Sequence, residues 1–198
     1  FHLDDNIAGS YVFNKGKTVA AMGCTVNTIQ DKWPDEFIGL LAAGMRIGQF
    51  IRFTCFLENH LVGDPTFHFT DNVALGMDIN QSLVLEEGNV AFWKKQLNSP
   101  MADMQAMALR QLSMADCDGL VELLKKSYYE SDYFVVRLEA LRLLTLNYPT
   151  EATEVLKTAM NDSYELIRRY AIEYVGKNSN PELLSAWIES YLLRGYEN

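Results

Sequence analysis

Histidine and cysteine are scarce in this chain of 198 residues, with three of each, and proline occurs five times. Cys24, Cys55 and Cys117 are an odd set without metal-binding spacing. They read as small buried thiols, which argues against a disulfide framework or a metal cluster. A surplus of basic residues is lacking as well. The net charge of −9 divides into about −3 for residues 1–72, with five basic and eight acidic residues, and −6 for the rest, with twelve and eighteen. Neither part offers the Lys and Arg footprint that a phosphate backbone needs, so nucleic acid is not an expected partner. No apolar run approaches the ~20 residues of a membrane-spanning helix. The chain begins at Phe1 with neither an initiator Met nor a signal-peptide pattern, which reads as a processed form or an excised fragment. What is present is ordinary globular composition, 48% apolar and 22% charged, enough for one large or two small domains.

The second half repeats. MQAMALRQL at 104–112 returns as VVRLEALRLL at 135–144 and as LIRRYAIEYV at 166–175. Ala108, Ala140 and Ala171 fix the register, with Leu109, Leu141 and Ile172 beside them and Leu112, Leu144 and Val175 one turn on. A small residue at that position lets helices approach closely. Each unit has a partner helix with i, i+3, i+4 apolar spacing: Leu120, Leu123 and Leu124; Val155, Leu156 and Ala159; Leu183, Leu184, Trp187 and Ile188. One helix pair cannot cover both of its apolar faces, so the pairs are expected to stack and share a core, about three being the usual minimum. Asp132 and Ser163 read as N-caps of the helices carrying Arg137 and Arg168. With an Ala flanked by branched aliphatics and these two arginines, the units resemble HEAT repeats, which implies an all-α array at 91–198.

Residues 1–72 read differently. KTVAAMGCTV at 17–26 is a run of small and β-branched residues suited to a strand buried on both faces among parallel neighbours. Trp33–Ala43 predicts a helix with Pro34, Asp35 and Glu36 in its first turn, and a second helix follows at about 46–61. Gly63-Asp64-Pro65-Thr66 breaks it and leads to FHFT at 67–70, an alternating edge strand. Two strands cannot form a covered parallel sheet, so the segment reads as an incomplete α/β domain with its missing strands upstream of Phe1. Residues 73–90, with Gly76, Asp78, Asn80 and Gly88 as turn signals, read as a linker containing short extended pieces. Ala91–Leu97 reads as a short helix capping the first repeat with Phe92 and Trp93, and the polar tail Arg194–Asn198 as the cover at the other end.

GKTVAAMGCTVNT at 16–28, the following WPDEFIGLLAAGM and HLVGDPTFHF at 60–69 resemble the last third of the catalytic domain of gingipain-like cysteine peptidases, which have a caspase-like fold. The resemblance covers about residues 1–70. It implies a mixed chain, a caspase-like C-terminal segment followed by the HEAT-like array, and an exported protein. Such peptidases need a thiolate polarised by an imidazole and amides that hold the oxyanion. In the family both catalytic residues precede the matched region, so the Cys and His are implied upstream of Phe1. No catalytic residue transfers onto this sequence, and by itself the chain would be inactive.

His2, His60 and His68 are the remaining candidates for chemistry. A pairing of Cys24 with His2 or His60 would make an internal active site; the plainer reading has His60 ending a helix and His68 alternating with Phe67 and Phe69 on a strand. Asp4, Asp5 and Asn6 read as a solvated turn, because the spacing of a calcium loop is absent. Asp64 reads as a turn cap. Tyr128, Tyr129, Tyr133, Phe134 and Tyr191 either line a partner surface or pack between repeats. No cofactor or metal is expected, and a protein or peptide on the repeat surface is the expected partner. The function expected is thus a gingipain-like peptidase tail with a partner-binding array, or a non-catalytic repeat scaffold.

Overall fold

A computed structural model describes residues 7–24, 36–53, 59–70, 75–178 and 180–194. Among them are eleven helices and one two-stranded sheet, in two compact units that divide between Glu87 and Gly88.

In the first unit α1 (Ile7–Phe13) packs against the sheet made by β1 (Ala20–Cys24) and β2 (Asn59–Gly63). The strands are antiparallel, with Ala20 opposite Gly63 and Gly23 opposite His60. Among the described residues the strand expected at 17–26 pairs only with β2, its expected parallel neighbours being placed upstream of Phe1, and it is not buried on both faces, since Val19 and Met22 are exposed. The second strand is NHLVG rather than FHFT; residues 67–70 run as irregular chain beyond the Gly63-Asp64-Pro65-Thr66 turn. The sheet stops at Gly63, whose φ of 111° only glycine adopts readily and where a Cβ would strike the Val19 carbonyl. Asp64 N–H then donates to that carbonyl at 3.0 Å. The turn in turn holds the next helix: Ile47 N–H donates to Phe67 O and Gly48 N–H to Pro65 O, both at 3.0 Å. A Cβ on Gly48 would lie 2.8 Å from Pro65 O.

Of the two expected helices, residues 33–35 and 54–58 lie outside the described residues. α2 covers Ile38–Ala42 after Phe37, whose φ is 65°, and α3 covers Ile47–Phe53. Among the described residues, Phe37, Leu40, Ala43, Met45, Phe50, Phe53, Ile79 and Leu83 supply this unit's buried apolar core. The stretch expected as an extended linker contains a helix, α4 (Ile79–Leu85). Its N-cap is Asp78, which accepts from Asn80 N–H at 2.8 Å and Gln81 N–H at 3.2 Å. Asn80 ties α4 to the turn between α2 and α3, donating to Gly44 O at 2.9 Å and accepting from Arg46 N–H at 2.8 Å.

The second unit starts with α5 (Val90–Gln96), which packs on α6 (Ala102–Met114) through fully buried Trp93, with Phe92 in edge contact at 5.0 Å. α7 (Leu120–Glu130), α8 (Phe134–Asn147), α9 (Thr153–Ala159), α10 (Glu165–Lys177) and α11 (Pro181–Arg194) follow. α6, α8 and α10 stack side by side; α7 lies against α6 and α8, and α11 against α9 and α10. Ala108, Ala140 and Ala171 have no exposed surface. Around them lie Leu109, Leu112, Leu141, Leu144, Leu156 and Ile167, also fully buried.

Candidate functional site

Two ladders of side chains run between the units of the repeat half. The first begins ahead of each helix α6, α8 and α10. The side-chain oxygens of Ser99, Ser131 and Asp162 accept the amide two residues on, from Met101 at 3.2 Å, Tyr133 at 3.2 Å and Tyr164 at 2.8 Å. Six residues after each of these, Gln105, Arg137 and Arg168 donate back to the carbonyls of Ser99, Ser131 and Asp162, at 2.7, 3.1 and 2.8 Å. Arg137 and Arg168 also reach the carbonyls of Asp132 and Ser163. The helices begin one residue later than their caps were expected. Tyr133 and Tyr164 are the N-caps, without side-chain cap bonds, and Asp132 and Ser163 contribute backbone oxygens instead.

Asp162 is where the clasp of one unit meets the next. Its carboxylate accepts from Arg137 Nε at 3.1 Å and Nη2 at 2.9 Å, from the Tyr128 hydroxyl at 3.1 Å and from Tyr164 N–H. Burial on its own would raise the carboxyl; the Arg137 fork and the Tyr164 amide outweigh it and hold Asp162 below the usual carboxylate range. Burial, with Asp162 beside it, pushes the Tyr128 phenol far above its ordinary value.

The second ladder crosses the helix bodies. Arg110 Nε and Nη2 make a bidentate pair with Glu139 at 2.6 Å each, with side chains 9% and 4% exposed. Arg142, the equivalent of Arg110 one unit on, meets Tyr170; burial lowers its guanidinium and the phenol opposes that shift. Tyr170 also shares a 3.1 Å bond with the Thr145 hydroxyl, and the Tyr174 hydroxyl donates to Thr145 O. These buried contacts fix the register between units.

The third unit differs. Arg168 corresponds to Arg137, yet its Nε is buried with no hydrogen-bond acceptor among the described residues. A buried donor left in that state costs roughly 1–3 kcal/mol. The residues that follow α11, as Asp162 follows α9, lie outside the described residues. On α11 the inner residues Leu183 and Ser190 are buried, and the Ser190 hydroxyl donates to Met160 O at 3.2 Å. Leu184, Trp187 and Ile188, expected to cover the array's core, are instead 54%, 38% and 44% exposed. Tyr191 continues the stripe and stacks on Trp187 at 6.2 Å. The polar residues expected as a cover, 195–198, lie outside the described residues.

Gly63-Asp64-Pro65-Thr66 is a side-chain-locked turn in the first unit. Asp64 accepts from Thr66 N–H at 2.8 Å and from its hydroxyl at 2.7 Å, and these bonds hold the exposed carboxyl below its usual range. His60 is an exposed strand residue across from Gly23 and not a helix end, which corrects the expectation for it. His68 is exposed, and its Nδ1 lies 3.1 Å from Phe69 O. His2, Cys55 and the Asp4-Asp5-Asn6 turn lie outside the described residues; Cys117 is buried. Of the aromatics, Tyr128 is buried, Phe134 stacks on Tyr164 at 4.0 Å, and Tyr129 and Tyr133 are exposed. Among the described residues no three His, Cys, Asp or Glu gather as a metal would require, and no helix is long and apolar enough to cross a membrane.

Ser99, Ser131 and Asp162 were not singled out from the sequence, although the 31-residue step from 131 to 162, the same as from Arg137 to Arg168, was there to find. No family model matches the chain, and no curated protein or solved structure does so either.

Proposed function

We propose that the repeat half is a protein-binding module whose binding surface includes the outer face of α11. The observation that carries this reading is the stripe of Leu184, Trp187 and Ile188, exposed at the end of a stack in which the matching helix α9 has Val155, Leu156 and Ala159 fully buried. Large apolar side chains grouped on one exposed face mark an interaction site. Buried Leu183 and the Ser190–Met160 bond hold α11 on α9 and α10, which gives that face a fixed backing and lowers the cost of ordering it on binding. The acidic net charge speaks for protein rather than nucleic acid. The test is the full chain carrying Leu184→Asp and Ile188→Asp. It should lose its co-purifying partner while its melting curve stays within about 0.5 kcal/mol, as exposed substitutions usually do. Retention of the partner would remove α11 from the interface.

A second reading makes the chain the C-terminal part of a gingipain-like cysteine peptidase. It is favoured by the order of GCTVNT, HLVG and a GDPT turn locked by the Asp64–Thr66 bonds directly after a strand. The nucleophile and its imidazole would then lie outside this sequence, and the repeat module would hold substrate or a partner for them. A thiol-directed activity probe applied to the intact natural product tests it. Labelling of a cysteine ahead of Phe1 supports the peptidase; an unlabelled product leaves the scaffold alone.

A further inference from the structure

We infer that the edge of the array where α8 and α10 begin binds an extended, proline-rich segment of a partner protein, wound as a polyproline II helix with a Lys or Arg beside its prolines. This surface lies along the side of the stack and does not depend on the α11 face.

The repeat itself builds the edge. Met101, Tyr133 and Tyr164 are the N-caps of α6, α8 and α10, and all three have extended backbones, with φ from −101° to −87° and ψ from 117° to 123°. Equal backbones at equal places in a stack send their side chains the same way. Met101 is half-buried, whereas Tyr133 and Tyr164 are exposed. Phe134 links the two tyrosines, since it follows Tyr133 in the chain and stacks on the Tyr164 ring at 4.0 Å. Asp162 fixes the corner behind them. Its carboxylate takes the Tyr164 N–H and the Arg137 fork, while Arg137 Nη1 holds the carbonyls of Ser131 and Asp132 just ahead of Tyr133. The rings are thus placed before a partner arrives, which lowers the cost of binding. Among the described residues no protein group bonds the Tyr133 or Tyr164 hydroxyl.

A row of rings repeated once per unit suits a ligand that repeats at the same interval. Stacked helices lie about 8–10 Å apart. A polyproline II helix has three residues per turn and rises ~3.1 Å for each, so every third residue returns to one side after about 9 Å. A β-strand returns after about 6.8 Å and falls out of step. An α-helix comes back near 10.5 Å, after seven residues, but its carbonyls are spent within it; polyproline II leaves its carbonyls open to the tyrosine hydroxyls. Proline-rich segments dock on aromatic surfaces for these reasons. Charge completes the description. Glu130, Asp162 and Glu165 have Lys126, Arg137 and Arg169 as cations, whereas Asp132, directly before Tyr133, has none among the described residues. One basic residue beside the prolines meets it, and an acidic segment does not.

The experiment selects displayed random peptides of about twelve residues, four turns of such a helix, on the full chain. The expected winners have proline at every third residue and a Lys or Arg at one end. Against Tyr133→Ala or Tyr164→Ala a winning peptide should lose at least about tenfold in affinity, as buried tyrosines at an interface do. Inserting one alanine between its prolines should do the same on the unaltered chain, which decides the matter even where Tyr164→Ala disturbs the fold. Asp132→Asn should abolish the gain from the basic residue and leave the proline period in force. Leu184→Asp with Ile188→Asp should leave affinity unchanged; a loss there would assign the peptide to α11, overturning this inference while the reading above stands. Winners without the three-residue period, binding that ignores both tyrosines, or a selection that enriches nothing would also overturn it.

Discussion

Glu139 is the residue on which the junction between α6 and α8 depends most. It is 4% exposed and takes both 2.6 Å bonds of the Arg110 fork, with Arg142 a further 3.8 Å away. Removing one member of such a pair strands a charge where water does not reach, so Glu139→Ala should cost about 3–5 kcal/mol in urea unfolding. Replacing both members with apolar residues, as in Arg110→Met with Glu139→Leu, should restore most or all of that stability. A small loss in the single variant would mean that the pair is hydrated. Asp162 lends itself to a different measurement. Its carboxyl is held below the ordinary 3.8, so its contribution is complete above the unfolded-state value and disappears as pH falls through the lower folded-state one. The melting temperature should therefore drop more steeply between about pH 5 and pH 2 in the wild type than in Asp162→Asn. Parallel slopes would show that the carboxylate adds nothing to folding. Both residues were hard to find in the sequence for one reason: a buried ionic pair joins positions 25 or 29 residues apart, and no local pattern of polarity marks it. The alanines at 108, 140 and 171 were legible because they recur within an apolar stripe, where a small residue stands out.

At the level of elements, helices with a full amphipathic period were readable, whereas of the seven-residue ones α5 and α9 were read and α1 and α4 were not. α6, α8 and α10 run 13, 14 and 13 residues and contain their repeats entire. α4 has seven residues, too few for periodicity to separate a helix from an extended piece, and DINQSLVL supports either. What decides it is Asp78, whose carboxylate takes two of the amides that the first turn leaves without partners. Asp78→Ala should accordingly destabilise the first unit by about 1 kcal/mol, and Asp78→Ser should recover most of it, as read by hydrogen exchange at Asn80 and Gln81. Equal protection in all three proteins would assign the helix to packing of Ile79 and Leu83 instead. The strand error has a comparable cause. FHFT alternates as a strand should, but alternation does not supply a pairing partner. Gly63, with its positive φ, ends the ladder, and Pro65 and Phe67 spend their carbonyls on Gly48 and Ile47.

For the whole molecule, the question is which parts of the chain can stand by themselves. Residues 88–198 contain their own apolar interior, from Trp93 through the three alanines to Leu183, and both buried ionic pairs. Repeat stacks draw stability from contacts between neighbouring units, and three helical pairs with a capping helix meet the usual minimum. Expressed alone, residues 88–198 should melt in one cooperative transition with the near-ultraviolet signal of a packed Trp93. That signal should be lost together with the helical signal in far-ultraviolet circular dichroism. Cooperativity in such stacks is carried by the junctions, so Glu139→Ala in this fragment should split or broaden the transition, with α5–α7 and α8–α11 losing structure at different temperatures. A surface substitution such as Lys126→Ala, in an exposed pair at 3.8 Å, should only leave it unchanged. If the isolated fragment melts without cooperativity while the full chain does not, the first unit is part of the repeat half's folding unit, and the division at Glu87 and Gly88 is one of contact density alone.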